Sequence, residues 1–260
     1  MVASWRKLWG FDLPFGFVQL AGYGGGNGSA PQQVAQLRRQ QLAASDQPGV
    51  FFAVAMDLAD PAVAVDLKLV PATDVHSRFK EQIGERLALG GRAVAFGDAE
   101  VPWRGPTAVS AKVLTATTGA GVEVEVTFDH IGPAGLVIKA AGLFELGSSS
   151  TETWHNATGK LHGTSSIVVS ASTDPDSSGL QALADLNPLE IRYAYYDAPC
   201  VPTNDKPGMS PGGGGEPGPA TAGNFTADVS CSIYSEYSAR GVGEQGVLLP
   251  SPPFWLNVTQ

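Results

Sequence analysis

Seven consecutive apolar residues, Val50-Phe51-Phe52-Ala53-Val54-Ala55-Met56, stop abruptly at Asp57. A run that is apolar on both faces, yet too short for a buried helix, fits a central parallel strand covered by helices on either side. The flanks agree. Phe15 to Leu20 reads as a second buried strand, running into the glycine-rich turn Gly22 to Gly28. Ser29-Ala30-Pro31-Gln32 is a helix start signal, and Val34, Leu37 and Leu42 follow at near-helical spacing, so a helix is predicted over 31–44. A loop over 57–73 comes next. Phe79, Ile83, Leu87 and Val94 predict a second helix over 77–96, ended by Gly97. Strand, helix, strand, helix is half of an open α/β sheet, expected over residues 1–100.

After Pro102 the pattern changes to short β runs between Gly, Pro, Asp and Asn: Val109 to Leu114, Val122 to Phe128, Leu136 to Ala140, Ile167 to Ser172 and Ile191 to Tyr195. These predict an all-β sandwich domain over 101–260. Within it, 201–223 reads as a Gly/Pro-rich loop and the tail from Ser232 to Phe254 as irregular.

Acids outnumber bases by 25 to 16, giving a net charge of −9, which would repel phosphate backbones and anionic membrane faces. Nucleic acid is therefore not an expected partner. No apolar run approaches the ~18 residues of a membrane helix, so no membrane insertion is expected, and the first residues carry no secretory signal. Two other features point to the secretory pathway. Asn-x-Ser/Thr occurs at Asn27, Asn156, Asn224 and Asn257, where composition alone would give about one such triplet. The two cysteines, Cys200 and Cys231, bracket the Gly/Pro-rich loop. A disulfide between them would constrain a segment unable to fold by itself, by roughly 3.5 kcal/mol in the chain-entropy model. The alternative is two buried thiols. Oxidised, glycosylated character without a signal suggests a chain that starts inside something larger.

Several strings mimic catalytic motifs. Gly208-Met209-Ser210-Pro211-Gly212 matches the nucleophile elbow, but the proline after Ser210 removes the backbone N–H that would bind the oxyanion. Ser77-Arg78-Phe79-Lys80 fits S-x-x-K without its companion strings. Gly22 to Asn27 lacks the third glycine of a dinucleotide fingerprint, so no cofactor is expected. His130, His155 and His162 have no metal-ligand spacing; polar surface roles are expected, and no metal. Asp74-Val75-His76 differs. It closes the loop after the apolar strand and immediately precedes a helix, at the carboxyl edge of the sheet where open α/β proteins place their chemistry. A histidine there can take and return a proton as general base, and a nearby carboxylate can orient it. A plain surface histidine is the alternative.

The series Phe51 to Asp60, then Asp74-Val75-His76, Lys80 and Gly84-Glu85-Arg86-Leu87-Ala88-Leu89, resembles the closing segment of the sialate O-acetylesterase family. Pro14-Phe15-Gly16-Phe17-Val18-Gln19-Leu20 and the Gln-rich helix resemble the strand and helix before it. Phe128-Asp129-His130, Ile191-Arg192-Tyr193-Ala194-Tyr195, Cys200 and Leu249-Pro250-Ser251-Pro252-Pro253-Phe254 resemble its C-terminal β domain.

The resemblance implies the C-terminal part of an SGNH-type, flavodoxin-like esterase sheet followed by a β-sandwich. It implies removal of O-acetyl groups from sialic acids or related sugars by a serine mechanism, with His76 as base and Asp74 as its acidic partner. Asp57 and Asp60 are the reserve carboxylates, with turn or capping roles as the alternative, and Lys80 fits a solvated helix face. The family's Gly-Gln-Ser-Asn nucleophile block does not occur in these 260 residues. Hence the chain is expected to hold no nucleophile, to be inactive alone, and to need the missing N-terminal part of the same esterase as partner. A half sheet with an uncovered face is expected to aggregate or seek such a partner. The full protein is expected to be extracellular, lysosomal or vacuolar. Two alternatives compete: a non-catalytic glycan-binding protein using Trp103, Trp154, Tyr195, Tyr196, Tyr234 and Tyr237, where core packing is the plainer role for most, and an esterase of acetylated polysaccharide.

Overall fold

The computed structural model describes residues 1–23, 32–59, 75, 79–117, 121–171, 183, 186–197, 199–200, 231, 233–237 and 247–259. The chain divides into two compact units, Met1–Trp103 with Tyr196–Ser230, and Arg104–Tyr195 with Cys231–Gln260.

The first unit opens with helix α1 (Val2–Trp9), which the sequence reading did not anticipate. Its signals are at the end: Arg6 and Lys7 lie in the last turn, and Gly10 adopts the left-handed conformation (φ 79°) and bonds back to Arg6 O. Strand β1 (Phe15–Gln19), helix α2 (Gln33–Ala43) and strand β2 (Val50–Val54) follow. β1 and β2 pair in parallel, from Phe15 opposite Val50 to Gln19 opposite Val54. Parallel neighbours need a crossover, and α2 lies within it. Among the described residues this two-stranded pair is the sheet of the first unit. The ring of Phe51 fills the space that side chains would occupy at Gly16 and Gly90; a Cβ on Gly90 would come 2.6 Å from Phe51 Cδ2. Helix α3 (Lys80–Gly90) continues into a wider turn over Gly91–Ala95. The chain then turns at Gly97 (φ 75°), where the glycine was expected to end the helix.

The inward face of α2 corrects the periodicity argument. Leu37 is 44% exposed, while Ala35 and Arg38 are buried and Val34 and Leu42 only partly so. A guanidinium, not a leucine, occupies the helix's contact face. The expected Ser29 cap lies outside the described residues. Gln32 is the observed N-cap without a side-chain bond, and Asp197 Oδ1 accepts from Val34 N (2.9 Å) and Ala35 N (3.3 Å). Thus a carboxylate distant in sequence satisfies the orphan donors of the first turn.

The second unit is built of antiparallel strands: β3 (Thr107–Thr117), β4 (Gly121–Asp129), β5 (Leu136–Ile138), β6 (Phe144–Ser148), β7 (Thr153–His162), β8 (Ser166–Ala171), β9 (Glu190–Tyr193), β10 (Ile233–Tyr237), β11 (Val247–Pro250) and β12 (Phe254–Asn257). Seven of them form one sheet in the order β12-β9-β6-β7-β8-β4-β3, and β11-β10-β5 form another. On β4, Val122, Val124, Val126 and Phe128 are buried and alternate with less buried neighbours, the period-2 pattern of a sheet with one core face. The end strand β3 meets the residue after Val258: Val113 N donates to Thr259 O and Thr259 N to Ala111 O, both at 2.9 Å. This parallel bridge draws the ends of the seven-stranded sheet together, a sandwich or barrel-like form.

The expected β runs correspond to β3, β4, β5, β8 and β9, the last ended by Ala194 at φ 52°. The tail from Ser232 to Phe254 is not irregular: it contains β10 and β11 and the start of β12. These strands are four or five residues long, and Pro250, Pro252 and Pro253 interrupt their local pattern, so pairing with β5 and β9 creates them. Cys200 and Cys231 are disulfide-bonded, as expected. The loop 201–223 lies outside the described residues.

Candidate functional site

The carboxyl ends of β1 and β2 form the edge to which the sequence assigns the chemistry. Gln19 ends β1, and its carbonyl accepts from Ala55 N (3.1 Å), one residue past β2. A short 3-10 turn, Met56–Leu58, follows. Ala21, Ala55, Leu58, Phe79 and Ile83 pack into one buried cluster with Val18 against it. The start of α3 is thereby fixed on the ends of both strands.

Two guanidiniums organise this edge. Arg86, on α3, grips Asp57 with both terminal nitrogens, at 2.6 and 2.7 Å, and also donates to Val54 O at 2.7 Å. Asp57 is 2% exposed. One arginine thus ties the last residue of β2, the turn after it and α3 together through charge-assisted bonds. Arg38, fully buried, donates to Leu20 O (2.7 Å), Ala21 O (2.6 Å), Tyr196 O (2.8 Å) and Asp197 O (2.7 Å). Burial pulls its guanidinium down to about 10, and Asp197 acts in the opposite sense. It remains charged at neutral pH. Tyr23 N also bonds Asp197 O (3.0 Å), so the chain just past β1 is held on both sides. Gln19, fully buried, donates to Arg38 O (3.2 Å), while its Oε1 has no hydrogen-bond partner among the described residues.

Of the residues singled out in the sequence, Asp57 is the described carboxylate at this edge, engaged by Arg86. Asp60, Asp74, His76 and Ser77 lie outside the described residues, as do Gly24 to Asn27, Asn224 and the Gly208 to Gly212 string. Val75, between the proposed acid and base, is half-buried, and Lys80 is exposed on the first turn of α3. Arg38, Arg86 and Asp197 were not read as functional. The available signal was an arginine on a helix face whose neighbours at i−3 and i+4 are apolar or small. A depression of about 550 Å³ lined by Arg6, Lys7, Asp12 and Gln47 lies at the opposite, amino-terminal end of the strands, where Arg6 bonds Pro48 O. Open α/β sheets do not place catalysis at that end.

In the second unit, His130 and His162 are exposed and His155 is half-buried; His162 Nδ1 lies 3.1 Å from Glu125. Tyr195, Tyr234 and Tyr237 are buried, which fits core packing over sugar stacking. The Tyr237 hydroxyl donates to Arg104 O (3.0 Å) and to His130 O, and burial pushes its pKa up to about 12. No group of three or more metal-ligating side chains occurs among the described residues. No helix among them is long and apolar enough to cross a membrane.

Over 120 residues, 41% of this chain, the sequence is 33% identical to the sialate O-acetylesterase of Rattus norvegicus. It is similar to the sialate O-acetylesterases. The Mus musculus protein is 30% identical over 130 residues, and the Homo sapiens protein 34% identical over 100. The matched stretch spans only 21%, 23% and 18% of the length of these relatives. A carbohydrate acetylesterase from Xanthomonas citri superposes on 99% of the chain with a TM-score of 0.60 and 22% identity, and the chain covers 44% of it. That likeness shows a shared fold. No protein-family model matches the chain.

Proposed function

We propose that these 260 residues are the base-bearing, C-terminal part of a carboxylic-ester hydrolase that removes O-acetyl groups from sialic acids or related sugars. The observation that carries this reading is the 30–33% identity to sialate O-acetylesterases over 120 to 130 residues. In this reading β1, α2, β2 and α3 close an SGNH-type sheet, and the second unit is its β-domain. His76 precedes the anchored Phe79 by three residues, at most about 11 Å of chain. That reach supports a base working near the carboxyl ends of β1 and β2.

The chemistry follows from the residue types. A serine hydroxyl supplied outside these residues attacks the acetyl carbonyl while the His76 imidazole takes its proton; Asp74 stabilises the cation formed. The proton then passes to the sugar oxygen as the C–O bond breaks, and water repeats the cycle on the acyl-serine. Arg38 and Arg86 hold the strand ends on which this geometry depends. The disulfide supports an extracellular or lysosomal location for the full protein, where such bonds persist.

The test is direct. The 260-residue chain should not hydrolyse p-nitrophenyl acetate or O-acetylated sialic acid. The same chain preceded by a segment bearing the Gly-Gln-Ser-Asn block should, and His76→Ala should abolish that activity. Turnover by the 260 residues alone that is lost in His76→Ala would overturn the assignment of the nucleophile. Turnover by the longer form that survives the substitution would overturn the base. Comparing O-acetylated sialic acid with acetylated polysaccharide separates the two substrate classes.

A further inference from the structure

Two of the four Asn-x-Ser/Thr triplets share a longer pattern: Trp154-His155-Asn156-Ala157-Thr158 in β7, and Trp255-Leu256-Asn257-Val258-Thr259 in and just after β12. Each has a tryptophan two residues before the asparagine. In a strand such residues share a face, roughly 7 Å apart.

The pairing registers place both motifs on one face of the seven-stranded sheet. Trp255, Arg192, Glu145 and Asn156 form one cross-strand row, and Asn257, Glu190, Gly147 and Trp154 form the next. Each asparagine therefore lies in the row of the other motif's tryptophan. The opposite face carries Phe144, Leu146, Ile191 and Tyr193, all buried in the core. Asn156, Thr158, Asn257 and Thr259 are exposed, and both indoles are partly exposed.

The indoles are held in place. Their ring centroids are 4.9 Å apart at 86°, the edge-to-face arrangement aromatic quadrupoles favour. The Arg192 guanidinium sits 3.9 Å from the Trp154 centroid and is paired with Glu145 at 2.7 and 3.0 Å. Trp255 Nε1 donates to Glu190 Oε1 at 3.1 Å. The result is a fixed, partly wet aromatic platform between two exposed acceptor asparagines. A pyranose presents a face of weakly positive C–H groups, which complements the negative face of an indole.

We propose that Asn156 and Asn257 are N-glycosylation sites whose first sugar packs on Trp154 and Trp255. In the modification, the Asn amide nitrogen attacks C1 of an N-acetylglucosamine carried on a lipid-linked diphosphate. The N–C1 bond forms, the C1–O bond breaks, the diphosphate leaves, and one amide proton is lost to a base of the transferase. The Cys200–Cys231 disulfide fits the oxidising compartment in which that transfer occurs. The inference is independent of the esterase reading.

The full chain, secreted from a glycosylating host, is treated with an amidase that converts occupied asparagines to aspartate in ¹⁸O-water, and its peptides are weighed. Both positions should carry the mass label; an unlabelled site overturns the proposal for that site. Acrylamide quenching of tryptophan fluorescence then tests the packing. Material trimmed to a single sugar should match the untreated protein. Fully stripped material should quench more, by roughly a third, since two of the five tryptophans are uncovered. The Thr158→Ala/Thr259→Ala variant, which keeps both asparagines and both indoles, should match the stripped protein. Equal quenching across all forms would overturn the packing.

Discussion

In the first unit three guanidiniums point at main-chain carbonyls, Arg6 at Leu13 O and Pro48 O, Arg38 at four, and Arg86 at Val54 O as well as Asp57, while the more exposed Arg92 pairs with the Asp98 carboxylate at 2.7 Å. In the second unit Arg192 bonds the Glu145 carboxylate and stacks on Trp154, Tyr195 and Trp255. The difference follows from what the sheets satisfy. In the seven-stranded sheet, ladders pair the carbonyls, so a buried arginine finds only side chains. Among the described residues of the first unit a single two-stranded ladder leaves carbonyls at its ends, and buried carbonyls must be paired. Side-chain donors take the place of a neighbouring strand. Gln41 does the same beside β1, donating to Val18 O and accepting from Leu20 N, both at 3.1 Å.

A main-chain carbonyl cannot be mutated away, and this makes the contrast breakable. Arg38→Met should have the largest effect, about 4 kcal/mol of stability, because four carbonyls lose a charged donor at once. No second substitution should restore it. Urea unfolding followed by circular dichroism measures the loss; a cost below about 1 kcal/mol would show that water replaces the guanidinium and would break the contrast. Arg86→Met should cost about 3 kcal/mol by taking a charged double donor from the buried Asp57 carboxylate and a donor from Val54 O. Adding Asp57→Leu should return only about half of that, since Val54 O still lacks its donor. Full recovery would mean that the Arg86 bond to the carbonyl contributes nothing.

The same distinction governs how much was legible in the sequence. β2 and α3 were readable because their apolar residues alone determine their burial, β3 and β4 because β-branched alternation marks a half-buried strand, and β8 because Ile167-Val168-Val169 is a short β-branched run of a buried one. The strands β6, β7, β10 and β12 carry Glu145, Asn156, Glu236 and Asn257 within four to ten residues, and long-range partners decide them. At the candidate edge, Asp57 was readable as a carboxylate after a strand, but no periodicity links it to Arg86, nor Arg38 to Asp197. Those pairs exist only once the chain is folded. The assignment of His76 and Asp74 rests on sequence.

Arg192 supplies the opposite case. Arg192→Met alone should cost about 3 kcal/mol by leaving Glu145 buried and unpaired, yet Glu145→Leu/Arg192→Met should fall within about 1 kcal/mol of the parent. The thioether can keep a contact with the indoles, and no main-chain partner is stranded. A double variant as damaged as the single one would erase the distinction between the units.

The smallest effect should come from the rim of the same sheet, where Glu125 meets Lys112 at 2.9 Å and His162 at 3.1 Å, both partners being more than half exposed. The hydrogen bond from Lys112 holds the Glu125 carboxyl below its ordinary value; partial burial opposes this, and Ser166 and His162 act with the lysine. Because the folded value is depressed, the contribution is present above the unfolded carboxyl value, near 4.3, and is lost as pH falls through the folded one. Between pH 5 and pH 3 the parent's Tm should therefore drop by roughly 1 to 3 °C more than that of Glu125→Gln. The gap should narrow in 1 M salt, where exposed charges are screened over about 3 Å. An equal drop in both proteins would mean that the rim carboxylate contributes nothing to the acid sensitivity of the sheet.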